Sequence, residues 1–233
     1  MFYKMVADCN SLNAQPEHTA STHSPKAREI LVPKIVDHEQ RRAEVIDCAC
    51  DLIASEGISG FTVRELARAV DASTGVVSHY FRNKQELLTL TYEAVNDRIR
   101  GRVEACLARD HGDIKGALTA MLPLDAAGLR DWRVLFAYWG ASVGDERLRG
   151  EQQRRARLAR KRIQKTLEWL SAQGRLTAGL DPETEAYRLL ALTQGTATQT
   201  VFDPPGWPAA RQRELICDAV DSLLSEPTAR RRA

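Results

Sequence analysis

The stretch FTVRELARAVDASTGVVSHYFRNKQELL, residues 61–88, decides the fold. Thr62 and Glu65 stand at the spacing of a capping box, in which each side chain satisfies a backbone N–H at a helix start. A first short helix follows over 62–70, then the break DAS, then a second short helix over 74–80. Two short helices joined by so tight a turn make a helix-turn-helix. Leu66, Ala67 and Val70 face inward from the first helix, with Ala67 small where the two must approach. Val77 and Phe81 are four apart and brace the second helix on the first. Thr74, Gly75, Val76, Ser78, His79 and Tyr80 are left on the outer surface or its rim. Short hydroxyls, a bare glycine and a methyl-bearing valine suit a helix pushed into a major groove, where they can reach base edges and thymine methyls.

Working outward, the pattern stays helical. Ile46, Ala49, Cys50 and Ile53 recur at helical spacing ahead of the motif, and Gly57 stops that helix. Asn83 and Glu86 open a long helix whose Leu88, Val95, Ile99, Val103 and Leu107 recur every three to four residues or a multiple of that step. Further helices are expected at about 113–122, 128–143, 145–173, 182–202 and 208–225; Asp181-Pro182 is a cap followed by a first-turn proline. DPPGWP at 203–208 reads as an interhelical loop. The fold class is all-α with about nine helices. An N-terminal three-helix helix-turn-helix unit (37–83) precedes a C-terminal helical unit (84–226), between flexible tails at 1–36 and 227–233. The polar N-terminal tail cannot bury enough to offset its ordering entropy; Lys26, Arg28 and Lys34 give it the alternative of a weak nucleic-acid arm.

Composition removes several classes. With 43% hydrophobic and 27% charged residues the chain is globular. No apolar run nears the roughly 18–20 residues that span a bilayer, and no signal peptide is seen, so a cytoplasmic protein is expected, which as a DNA binder would work at the nucleoid. Cys9, Cys48, Cys50, Cys106 and Cys217 are odd in number and scattered, which fits reduced core thiols rather than a disulfide framework. No Glu-x-x-His pair, His-Glu-x-x-His or phosphate-binding glycine loop occurs, and neither catalytic residues nor a cofactor or metal are expected. A helical small-molecule binder or enzyme without DNA binding is the alternative class. Net charge is only +2, and residues 39–102 hold nine Lys/Arg against ten Asp/Glu, so DNA affinity must come from a few placed contacts and a dimer. The most basic run, 146–165, has nine Lys/Arg against two Glu. It reads as a solvated helix whose alkyl stems cover apolar neighbours, or as a second surface for nucleic acid or an acidic partner.

The order Thr-Val-Arg-x-Leu-Ala, then Ser-x-Gly-x-Val-x-x-Tyr-Phe-x-x-Lys-x-x-Leu-Leu, resembles the DNA-binding signature of the TetR family of bacterial repressors. One departure is Asp71, where the family usually has a turn glycine; aspartate tolerates the left-handed backbone that such a turn needs. The resemblance implies that Thr62 holds a phosphate with its hydroxyl and N–H, and that His79, Tyr80 and Lys84 are further phosphate contacts. It also implies that Arg64, Thr74, Gly75, Val76 and Ser78 meet bases, with Arg64 as the guanine reader. The basic run is not a DNA contact in that family.

A single unit of this size reads only a few base pairs, and two on a two-fold axis can bind a palindrome. The last two helices carry more apolar face than one core needs; they are core, the expected homodimer interface, or both, and the resemblance implies the dimer role. DWRVLFAYWGAS gathers Trp132, Phe136, Tyr138 and Trp139, and Trp169 lies on the next helix. Such a cluster is core or the wall of a cavity; Trp132, Phe136, Trp139 and Trp169 are the candidate ligand contacts. FAYWGAS with STGVVSHYFRNK resembles the subgroup near the choline-responsive BetI regulators, and an aromatic box would suit a quaternary ammonium ion. The resemblance implies a ligand-responsive regulator, a homodimeric repressor released by a small molecule.

Overall fold

The computed structural model describes residues 34–225. Among them are nine helices: α1 (Lys34–Gly60), α2 (Val63–Ala69), α3 (Thr74–Tyr80), α4 (Lys84–Arg109), α5 (Ile114–Thr119), α6 (Ala126–Gly144), α7 (Glu146–Ala172), α8 (Pro182–Phe202) and α9 (Ala209–Asp221). The expected tail over 1–36 and the terminal stretch 227–233 lie outside the described residues, except that α1 already begins at Lys34.

The local signals set most boundaries. Thr62 and Glu65 form the full capping box at the head of α2. Ser73 accepts the Val76 N–H to start α3, and Asn83 accepts the Glu86 N–H to start α4. Gly57 breaks the regular backbone of α1 at φ 72° and ψ 176°. Asp71 takes φ 50°, so the departure from glycine leaves the left-handed turn in place. Around it the Asp71 N–H reaches the Arg68 carbonyl (3.3 Å) and the Ala72 N–H reaches the Ala67 carbonyl (2.8 Å). That pair is a Schellman ending, and it aims the chain from α2 into α3.

Two helices end earlier than expected. The chain after Thr119 tightens into i→i−3 bonds, Met121 to Leu118 (3.1 Å) and Leu122 to Thr119 (3.0 Å), so α5 stops at Thr119 rather than near 122. The residues after Asp221 leave α9 because Leu224 pairs with Leu176 in an isolated antiparallel bridge, with the Thr177 N–H on the Leu223 carbonyl at 2.9 Å.

The interior forms two clusters. One joins α1, α2, α3, the first turns of α4 and α6: Ile53, Phe61, Leu66, Val77, Phe81, Leu88 and Tyr92 are buried together with Trp132 and Tyr138. The other packs α5, α7, α8 and α9 around Leu118, Leu167, Leu170, Leu190 and Ile216. The helix-turn-helix is therefore not a separate bead; its core runs on into the C-terminal helices. An ion network ties the same elements. Arg130 of α6 reaches Asp47 and Asp51 of α1, both at 3.0 Å. Arg98 of α4 reaches buried Asp131 of α6 at 2.7 Å and Asp47 at 3.5 Å, and Arg102 meets Asp131 at 3.5 Å. Burial opposes the Arg98 charge, but the Asp131 carboxylate outweighs it and holds that guanidinium above its ordinary pKa.

Candidate nucleic-acid interface and effector cavity

The two faces of α3 differ in exposure. Val77 is 1% exposed and Phe81 4%, so the helix is pinned by one edge. Thr74, Gly75, Val76, Ser78 and His79 are exposed on the other. Tyr80 is half-buried, with its ring 5.9 Å from His79 edge-on and 6.3 Å from Phe81. A Cβ built on Gly75 would meet only Ser73 Oγ at 3.6 Å, an ordinary contact. The space around it does not require glycine there.

Arg64 is exposed on α2 and shares a shallow concavity with Arg68, Asp71, Ser73 and Thr74. Sequence reasoning passed over Arg68. Its signal was the i,i+4 spacing from Arg64, which puts both guanidinium groups on one helix face. Lys84 is exposed at the first residue of α4, with its ammonium 5.7 Å from the centre of the Phe61 ring. Thr62 is differently committed. Its N–H and hydroxyl both donate to Glu65 Oε2, at 2.9 and 2.8 Å. The capping box uses the very donors expected to hold a phosphate, so the chain's own carboxylate occupies the anion's place.

The aromatic cluster divides. Trp132 and Trp139 stand edge-to-face, 5.6 Å apart, on the wall of a cavity of about 160 Å³ between α4, α5, α6 and α7. Trp132 donates its indole N–H to the Met121 carbonyl at 2.7 Å. Trp139 Nε1 is buried beside the Tyr92 hydroxyl, without full hydrogen-bond geometry. The other two candidates are outside the cavity. Phe136 is turned part-way round α6 from Leu135 and Trp139, and packs edge-on against Phe202 of α8 at 5.0 Å. Trp169 continues past the last lining residue of α7, and its ring takes the space that a side chain at Gly112 would need.

The remaining wall comes from α4 and α7, which sequence reasoning did not single out. On α7 the lining residues are Gln152, Arg155, Ala156, Leu158, Ala159, Arg162, Ile163 and Thr166, most of them a stripe of helical period, and all but Thr166 lie inside the basic run. The run is thus split: Arg147, Arg149, Arg154, Arg157, Lys161 and Lys165 are exposed, whereas Arg155 and Arg162 line the cavity. Tyr92 of α4 stacks on Tyr138 at 3.7 Å and donates its hydroxyl to Gln152 Oε1. Burial pushes the Tyr92 phenol up to about 12, which keeps it a donor. Among the described residues no His/Cys/Asp/Glu group could hold a metal ion, and no helix is long and apolar enough to cross a membrane.

Comparison with known proteins agrees with this layout. Residues 45–90 match the model for bacterial regulatory proteins of the tetR family, and residues 111–225 match the C-terminal model of BetI-type transcriptional repressors. The HTH-type transcriptional regulator PksA of Bacillus subtilis is 25% identical over 200 residues, covering 84% of this chain and 96% of that one. BetI of Klebsiella pneumoniae is 28% identical over 123 residues, 48% of this chain and 60% of BetI, so the match spans less than two thirds of that relative. In structure, the regulator from Saccharomonospora viridis in complex with choline superposes with a TM-score of 0.69 at 20% identity, over 81% of this chain and all of that one. The two family models between them take in the helix-turn-helix and nearly all the helices behind it, and on that evidence the chain belongs to the TetR family of transcriptional regulators.

Proposed function

We propose that the chain acts as a homodimeric repressor that binds a palindromic operator and is released when a small molecule enters the cavity. The observation that carries this reading is the two-sidedness of α3: Val77 is 1% exposed while its neighbour Val76 is 43% exposed, amid a surface of small and hydroxyl-bearing residues. In this reading Thr74, Gly75, Val76 and Ser78 face bases, Arg64 and Arg68 reach base edges or phosphates from α2, and His79, Tyr80 and Lys84 hold the backbone. Thr62 contributes only if phosphate displaces Glu65. A near-neutral DNA unit needs two such footprints about one turn of DNA, or 34 Å, apart. Exposed Tyr187 and Phe202 on α8 and Leu215 on α9 are the apolar surface for a second copy.

Release follows from the connections between cavity and DNA unit. Trp132 lines the cavity, and its neighbour Asp131 holds Arg98 and Arg102 of α4. Arg130, on the other side of Asp131, holds Asp47 and Asp51 of α1. A ligand that shifts α6 against α4 moves α1 with them and changes the separation of the two recognition helices. A coupling of about 1–3 kcal/mol is typical of such devices.

The test is fluorescence anisotropy on the operator over a salt series. Lys84→Ala should weaken binding to every sequence and lower the salt slope by about one. Arg64→Ala should relax sequence preference at one position, worth about 1–3 kcal/mol. If both variants bind as the parent does, the assigned interface is wrong.

A further inference from the structure

Read as the effector site, the cavity has a polarity that specifies its guest. Its charged lining residues are Arg100, Arg155 and Arg162, and among the described residues it has no lining carboxylate. The acids that meet these arginines stand away from the lining: Glu151 on Arg155 (2.7 Å), Asp97 on Arg155 (3.4 Å) and Arg100 (3.3 Å), Glu104 on Arg162 (3.2 Å). Asp97 and Glu104 are more than half exposed, whereas Glu151, the nearer partner of Arg155, is 20% exposed; none of the three carboxylates belongs to the cavity lining, while the three arginines do.

The neutral polar groups reinforce the bias. Trp139 Nε1 is a buried donor directed at the Tyr92 hydroxyl without reaching full hydrogen-bond geometry. The Gln152 carbonyl is taken by the Tyr92 hydroxyl, which leaves its amide N–H groups to offer. These groups sit with Arg155 at one end. The other end carries Val103 and Leu107 of α4, Ile114 and Leu118 of α5, and Ile163 of α7, with Arg162, paired to Glu104, at its edge. Arg155 is the least exposed of the three arginines, its side chain 16% exposed against 32% for Arg162 and 47% for Arg100.

From this we infer that the effector is an amphipathic monocarboxylate, its head group held by Arg155 and its apolar body lying among Val103, Leu107, Ile114 and Leu118. This rests on the reading of the cavity as the effector site. The volume, about 160 Å³, is close to that of a cavity of ~150 Å³ that takes benzene, so the body is small, roughly six to ten carbons. A quaternary ammonium ion fits poorly despite the two indoles. It would meet three guanidinium groups and no lining carboxylate, so the aromatic box that the sequence suggested lacks its counter-charge.

The experiment is calorimetric titration of the full chain, with and without operator DNA, using octanoate, octan-1-ol and choline chloride as probes. Octanoate should bind at least about tenfold tighter than octan-1-ol and displace the DNA, since a hydrogen bond to a charged group is worth about 1.5–3 kcal/mol. In Arg155→Gln the two should converge to within about threefold, and Arg155→Lys should fall between. A melting curve on each variant verifies the fold. Equal affinity for octanoate and octan-1-ol, binding of choline, or an octanoate preference that survives in Arg155→Gln overturns the inference. DNA binding without octanoate binding overturns it while leaving the regulator reading intact, and octanoate binding without DNA binding does the reverse.

Discussion

Val76 and Val77 are adjacent, identical in chemistry, and should behave as opposites. Val77→Ala removes two methyl groups from a site that is 1% exposed. At about 0.8 kcal/mol per buried carbon, transfer alone costs about 1.6 kcal/mol, and the space left behind brings the total to about 2–3 kcal/mol. Val77 shares its cluster with Leu88, Tyr92 and Trp132, so the loss registers in the main unfolding transition and not in a separate melting of the DNA unit. For a chain of this size each kcal/mol lowers the midpoint by about 2–4 °C, which gives a drop of about 4–12 °C. Val76→Ala removes the same two methyl groups from a side chain that is 43% exposed, and should leave stability within about 0.5 kcal/mol. Its effect belongs to DNA, where losing an apolar contact worth about 1 kcal/mol weakens Kd roughly fivefold. Thermal melts and anisotropy titrations on both variants decide the matter. Equal melting losses for the two, or no loss for Val77→Ala, would refute the assignment of inner and outer faces on which the interface rests.

Gly75→Ala should raise stability by up to about 1 kcal/mol, because alanine is the better helix former and its Cβ meets only an ordinary contact, while operator affinity falls; a variant less stable than the parent, with unchanged DNA binding, would contradict this. Asp131→Asn leaves Arg98 without its buried counter-charge. Loss of one partner from a buried pair costs about 3–5 kcal/mol, and since the Arg98 side chain is about a third exposed the expected loss is nearer about 1–3 kcal/mol in a urea titration. An unmoved midpoint would show that the network joining α1, α4 and α6 carries little energy.

What could be read from the sequence was whatever is written locally. The capping pairs Thr62/Glu65 and Asn83/Glu86, the stop at Gly57 and the left-handed turn at Asp71 each depend on residues within a few positions of one another, and each signal maps onto one feature of the backbone. The pairing of Leu176 with Leu224 joins segments far apart in the chain, so the early end of α9 had no local cue. The cavity was half legible for the same reason. Trp132 and Trp139 announce themselves by type, but Phe136 and Trp169 look alike in sequence and are diverted by Phe202 and Gly112, which only packing brings near. Arg155 and Arg162 were hidden in a run of nine cations, since composition does not tell which side of α7 turns inward. The donors of Thr62 illustrate a different limit. One residue pattern predicts both a helix cap and a phosphate site, and the structure has the cap formed.

The most direct test of the central claim is selection of fragments from the source genome by the purified full-length chain, followed by sequencing. The account predicts enrichment of an inverted repeat whose half-sites lie about one helical turn apart, lost when Gly75, Val76 and Ser78 are altered together in a variant that melts like the parent. Recovery of no common sequence, or of the same repeat by that triple variant, would contradict it.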